Sequence, residues 1–143
     1  MADRTAHVMW KGSLIEGAGT ITSVGSGAFG PLDVTWASRA EDSDGRTSPE
    51  ELVAAAHATC FSMALSHALA EAGTPPERLD VDATVTFVPG TGITKSALAV
   101  KAVVPGIDEP AFLHAAQTAK ENCPVSQALK GNVEITLDAA LDS

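Results

Sequence analysis

The 143-residue chain carries 9 Lys and Arg against 18 Asp and Glu, a formal net charge of −9, with 45% hydrophobic and 19% charged residues. This length suits one domain, 1–143, and the composition is that of a soluble globular protein rather than a disordered one. The acidity, unrelieved by any cluster of Lys or Arg, argues against nucleic acid and anionic membrane surfaces as partners.

The opening stretch, MADRTAHVMWKG, has no apolar run of signal-peptide length, so a cytoplasmic location is expected. Two cysteines are too few for a disulfide scaffold, and in a reducing compartment any pairing between them would be transient and chemical. AHVMWKG, GTITSV and GPLDVTWASR then read as three short strands of an antiparallel meander, separated by glycine-rich turns. Arg39 falls at the end of the third, where a solvent-facing arginine is the ordinary outcome and a buried one needs a carboxylate.

EDSDGRTSPEE is a polar loop in which Glu41, Asp42, Asp44 and Glu51 read as solvated. It ends in a helix start: Ser48 as cap, Pro49 at the first helical position, Glu50 and Glu51 in the first turn. The helix is expected to run to about Ala72, with Gly73 as its stop. No Asp, Glu, Lys or Arg occurs from Leu52 to Ala70. Its Ala, Ser, Thr and His content makes it too polar for lipid, so a helix buried inside protein is expected. It is apolar nearly all round, and one domain of this size can hardly cover it. A homodimer is therefore expected, its two long helices packed inside a shared shell of sheet.

After the turn TPPERLD, LDVDATVTFV alternates Val81, Ala83, Val85 and Phe87 with polar residues, the period-two pattern of a half-buried strand. GITKSALAVKAVVPG reads as its hairpin partner, DEPAFLHAAQTAKEN as a second helix, and NVEITLDAAL as a last strand. The order of elements predicts an α+β fold.

Cys60 lies mid-helix, where a lone cysteine is more often an inert small hydrophobe than a reactive thiol. His57, three residues earlier, shares its face and could stabilise a thiolate, although a satisfied core histidine is the commoner outcome. Cys123 precedes Pro124, which would make it the cap of a short helix whose amides favour a thiolate; a surface cysteine at a helix junction is an equal alternative. Zinc held by Cys60, Cys123, His57, His67 and His114 is weakly supported, because neither CxxC nor HxxxH spacing occurs. No phosphate-binding glycine loop and no GxSxG motif is present.

The stretches TSPEELVAAAHATCFSMAL, ITKSALAVKAVVPGID and AKENCPVSQAL, closed by VEITLDAAL, resemble in order the OsmC/Ohr family, and its OsmC branch more than its Ohr branch. The resemblance implies an intertwined α+β homodimer, with two long central helices wrapped by antiparallel sheets from both chains. It also implies a thiol peroxidase acting on organic hydroperoxides in stress defence. Cys60 would then be the peroxidatic cysteine and Cys123 the resolving one, the two forming a disulfide that external dithiols, such as dihydrolipoyl groups, reduce. Arg39 and Glu50 fall where the family places an arginine that holds the thiolate and a carboxylate that orients it. Ten residues of ideal helix would separate Glu50 from Cys60 by about 15 Å, so Glu50 would act only through Arg39, or if the helix starts later than Pro49. His57 matches the OsmC style of this helix and receives no role.

No metal or organic cofactor is expected. A cavity lined by Phe61, Met63, Phe29 or Trp36 would suit alkyl hydroperoxides. The alternative is a stress-induced dimer that binds a hydrophobic ligand without catalysis. Cysteine-dependent acyl transfer ranks last, because the amides around a mid-helix cysteine are committed to the helix.

Overall fold

The computed structural model describes residues 1–142. It divides into two compact units, Met1–Leu52 and Val53–Ser143.

In the first unit, β1 (Ala6–Lys11), β2 (Ala18–Val24) and β3 (Leu32–Val34) form the expected antiparallel meander, in that order. The third strand is shorter than the sequence suggests. GPLDVTWASR reads as strand because of its Val, Thr and Trp, yet Trp36–Ala40 is a short helix, α1. Local hydrogen bonds override the strand propensity: the Ser38 N–H donates to Thr35 Oγ1 (3.0 Å) and the Thr35 N–H to Ser38 Oγ (2.9 Å), a complete capping box. Arg39 consequently stands in the last turn of a helix rather than at a strand end.

The chain beyond α1 is folded back tightly. Ser38 Oγ donates to the Thr47 carbonyl (2.9 Å), and the Thr47 N–H donates to the Asp33 carbonyl (3.1 Å). Between them Asp44 (φ 44°) and Gly45 (φ 76°) make the turn, in the left-handed region that Asp tolerates and Gly favours.

The long helix α2 (Pro49–Glu71) begins at the foreseen signals, with the Glu51 N–H donating to Ser48 Oγ (3.1 Å). It stops at Gly73, whose φ of 87° lets the Thr74 N–H close onto the Leu69 carbonyl (2.9 Å). By length and mean hydropathy α2 is apolar enough to cross a membrane. In the second unit, however, one stripe of it, His57, Phe61, Leu65 and Leu69 at successive i, i+4 positions, is completely buried. Phe61, Leu65 and Leu69 join a core with Leu98, Val100, Phe112, Ala116 and Cys123. Thr59 and Ser62 return their hydroxyls to the carbonyls of Ala55 and Ala58 (both 2.7 Å), so neither needs water.

The sheet beneath that stripe consists of β4 (Arg78–Val88), β5 (Gly92–Val103) and β6 (Glu134–Asp142), with β5 central. β4 alternates half-buried and exposed residues along its whole length, as its period-two pattern predicts. β4 and β5 pair antiparallel, but β5 and β6 pair parallel, so this sheet is mixed where antiparallel sheets are expected. The crossover between β5 and β6 carries α3 (Glu109–Asn122) and α4 (Pro124–Leu129), the sort of helical connection that parallel neighbours require. Phe112, Ala116, Ala119 and Cys123 form the buried stripe of this connection.

Neighbouring α3 residues test this placement. Phe112 is fully buried and Leu113 is 40% exposed. Urea denaturation should show Phe112→Ala losing about 3–5 kcal/mol, and Leu113→Ala less than about 1 kcal/mol.

Candidate active site

The first unit brings Arg39 and Glu50 together. Arg39 Nε lies 3.0 and 3.1 Å from the two Glu50 oxygens, and Nη2 lies 2.9 Å from Oε2. The Glu50 side chain is 7% exposed and that of Arg39 32%, so the carboxylate is the more deeply buried partner. Two donors gripping one carboxylate fix the plane of the guanidinium, which a lysine could not reproduce. Glu50 stands in the first turn of α2, as foreseen, where the helix dipole also favours its charge. Its carboxylate holds Arg39.

Arg39 also lines an apolar cavity of about 300 Å³, with Val8, Trp10, Leu14, Ile21 and Trp36 around it. Of the four residues expected to line such a cavity, Trp36 does so. Phe61 is instead wholly inside the core of the second unit, while Phe29 and Met63 lie on the surface. A larger groove of about 800 Å³, lined in part by Lys11, Glu16, Asp33 and Arg46, contains none of the candidate site residues.

The second unit brings Cys60 and Cys123 together. Both are free thiols; Cys123 is fully buried and Cys60 is partly exposed. Burial pushes the Cys60 thiol above its ordinary pKa, and the hydrogen bond with Cys123 pushes the same way. The backbone N–H of Val125 opposes both by donating to the Cys60 sulfur. Cys123 does occupy the cap position of α4, but its side chain makes no cap hydrogen bond. The free amide in the first turn of that helix is therefore turned toward Cys60, not toward the cysteine that precedes it. Sequence reading missed Val125 because its contact is made by backbone, to a residue 65 positions away.

His57 is engaged away from Cys60. Its Nδ1 is 2.6 Å from Ser96 Oγ and its Nε2 2.8 Å from Ser126 Oγ, so both ring nitrogens are engaged, and burial holds its pKa below the ordinary value. Ser96 and Ser126 carry no sequence signal of their own. They are ordinary serines until the fold sets them on either side of one ring.

A histidine kept neutral by burial stabilises the fold only where the unfolded chain is also neutral. This contribution is complete above the ordinary histidine pKa, about 6.5, and is lost as pH falls toward the depressed folded value. Urea midpoints should accordingly drop for the wild type between pH 7.5 and 5.5, and drop less for His57→Gln.

Comparison with known proteins follows the same residues. The family model described as OsmC-like protein matches residues 41–138. The chain is 47% identical over 137 residues to peroxiredoxin OsmC of Escherichia coli strain K12, covering 94% of this chain and 93% of that one. It is 30% identical over 95 residues to the organic hydroperoxide resistance protein of Xanthomonas axonopodis pv. citri, covering 66% and 67%. Among solved structures, the OsmC-like protein of Mycoplasma pneumoniae superposes with a TM-score of 0.71 at 15% identity, covering 99% of this chain and all of that one. The organic hydroperoxide resistance protein OhrB of Bacillus subtilis superposes with a TM-score of 0.65 at 25% identity, covering 94% and 97%. The α+β architecture and the cysteine-bearing segments thus have the same origin: this chain belongs to the OsmC family and sides with its OsmC branch.

Proposed function

We propose that the protein is a thiol-dependent peroxidase that reduces organic hydroperoxides to alcohols in oxidative and osmotic stress defence. The carrying observation is the pair of contacting thiols, one partly exposed and one buried, in a chain whose relatives bear the names peroxiredoxin and organic hydroperoxide resistance protein. The exposed member, Cys60, attacks as thiolate. It takes the distal oxygen of ROOH to become a sulfenic acid, and the alkoxide leaves with a proton as ROH. The Cys123 thiol then displaces water from the sulfenic acid, forming a Cys60–Cys123 disulfide before further oxidation. An external dithiol, of which dihydrolipoyl groups are the candidate class, returns both thiols by exchange. The sulfurs carry every electron of this cycle.

The raised pKa of Cys60 means that its burial and its partner both disfavour the reactive form. A cation must offset them, and Arg39, held in plane by Glu50, is the residue proposed for it. The apolar cavity that Arg39 lines favours an alkyl or lipid tail over hydrogen peroxide.

Each chain is proposed to form one OsmC-like domain, because the family match from 41 to 138 runs through both compact units. Two such chains are proposed to form a homodimer in the cytoplasm. The support is apolar surface that one chain leaves in water. All six residues of β1 are exposed, Leu14, Ile15 and Phe29 stand out beside them, and Met63 on α2 is 68% exposed. In residues 1–52 Ile21, still 7% exposed, is the one large apolar residue that is buried. A hydrophobic patch of this kind is normally covered by a partner.

With a dithiol reductant, Cys60→Ser should abolish consumption of cumene hydroperoxide, whereas Cys123→Ser should still consume its first equivalent. Retained turnover in Cys60→Ser would refute the peroxidase reading. Arg39→Ala should raise the pH midpoint for Cys60 alkylation and cut kcat/KM at pH 7 by about tenfold or more, tenfold being the effect of one pKa unit. For assembly, Met63→Glu should shift sedimentation from dimer toward monomer, and a wild-type chain that sediments as a monomer would refute the dimer.

A further inference from the structure

Ser126, His57 and Ser96 form a buried chain of three uncharged polar groups, with exposures of 3%, 0% and 0%. All of its hydrogen bonds lie within the second unit. A neutral imidazole donates from one nitrogen and accepts at the other, so one serine donates to the ring and the other accepts from it. Among the described residues no buried side-chain polar atom lacks a partner, so the trio closes without a water. No carboxylate takes part, which leaves the ring no counter-ion that would support a basic role.

The spacing of this chain of groups matches that of the two cysteines. His57 precedes Cys60 by three residues on α2, and Ser126 follows Cys123 by three residues on α4. The His57–Ser126 bond therefore joins the same two segments as the Cys60–Cys123 contact, about one helical turn away on each. α4 is only six residues long, too short to hold itself, and lacks a side-chain cap at Cys123. Something outside it must fix its position against α2.

We infer that His57 is a positioning residue for the resolving step: through Ser126 it holds α4 so that the Cys123 thiol stays within reach of Cys60. This rests on the peroxidase reading above. After Cys60 has become a sulfenic acid, two reactions compete for it. Attack by the Cys123 thiol forms the disulfide and releases water, whereas a second ROOH oxidises the sulfenate to sulfinate and releases ROH. A loosened α4 slows the first reaction and leaves the second untouched. Loosening α4 also weakens the Cys123 contact that disfavours the Cys60 thiolate and the Val125 contact that favours it, so the first attack on ROOH is measured separately from the resolving step.

The test follows oxidation of the full-length protein by cumene hydroperoxide, with dimedone trapping of sulfenic acid and mass spectrometry of the Cys60 peptide. Ser126→Ala should lower the peroxide concentration that half-converts Cys60 to sulfinate by about five- to tenfold, the factor matching loss of one net hydrogen bond. The rate of the first oxidation is measured in the same variants, and the sulfinate yield is taken relative to it. Ser96→Ala, which cuts the other half of the trio and leaves the link to α4, should shift that concentration by no more than about twofold. His57→Gln, whose amide can both donate and accept, should resist overoxidation better than His57→Ala. Equal effects of Ser96→Ala and Ser126→Ala would overturn the inference and reduce the trio to core packing, as would wild-type resistance in Ser126→Ala. No oxidation of Cys60 in the wild type would instead refute the peroxidase reading itself, and this inference with it.

Discussion

A 23-residue helix with no wet face has to be covered, and the second half of the protein is organised around doing so. The stripe of His57, Phe61, Leu65 and Leu69 is sealed by the β4–β5–β6 sheet and the α3–α4 crossover, at roughly 1.5–3 kcal/mol for each large apolar side chain removed from water. The opposite side, with Met63, is left uncovered by a single chain. The thiol proposed to react is placed by the same constraint. Cys60 lies one helical turn from His57, at the margin of the buried stripe, so it is half out of water wherever the helix packs.

That placement sets up an electrostatic conflict. Burial would shield the proposed sulfenic acid and sets Cys123 beside Cys60, but it also raises the pKa of the thiol that in this proposal must ionise first. Among the described residues of the second unit, the Val125 amide is the influence that opposes this at Cys60. Arg39, proposed above as the cation that offsets this, is planar, always charged and fixed by a buried carboxylate. His57 is poorly suited to that role, since burial lowers its pKa and both of its ring nitrogens are taken up by serine hydroxyls.

Where structure is decided by neighbours in sequence, it is legible in sequence. Ser48, Pro49 and Gly73 mark the ends of α2 because capping is local chemistry, and the alternation of Val81, Ala83 and Val85 marks β4 because burial of one sheet face has period two. α1 was misread as strand because a five-residue helix has too few residues for a periodic signal, and its Thr35–Ser38 capping box competes with strand-forming Val, Thr and Trp. The parallel pairing of β5 with β6 is set by a crossover that no local pattern encodes. The site divides in the same way. Cys60, Cys123, Arg39 and Glu50 could be named through the resemblance of whole segments. Ser96 and Ser126, 39 and 69 residues from the histidine they hold, could not.

The central claim is that Cys60 and Cys123 of one chain form a redox couple, and it is tested most directly on the reduced protein treated with one equivalent of cumene hydroperoxide. Mass spectrometry and thiol titration should show two thiols lost per chain, a mass lowered by two hydrogens, and a Cys60–Cys123 linkage within a single chain. Two thiols still free after the peroxide treatment, or a disulfide that joins different chains, would contradict it.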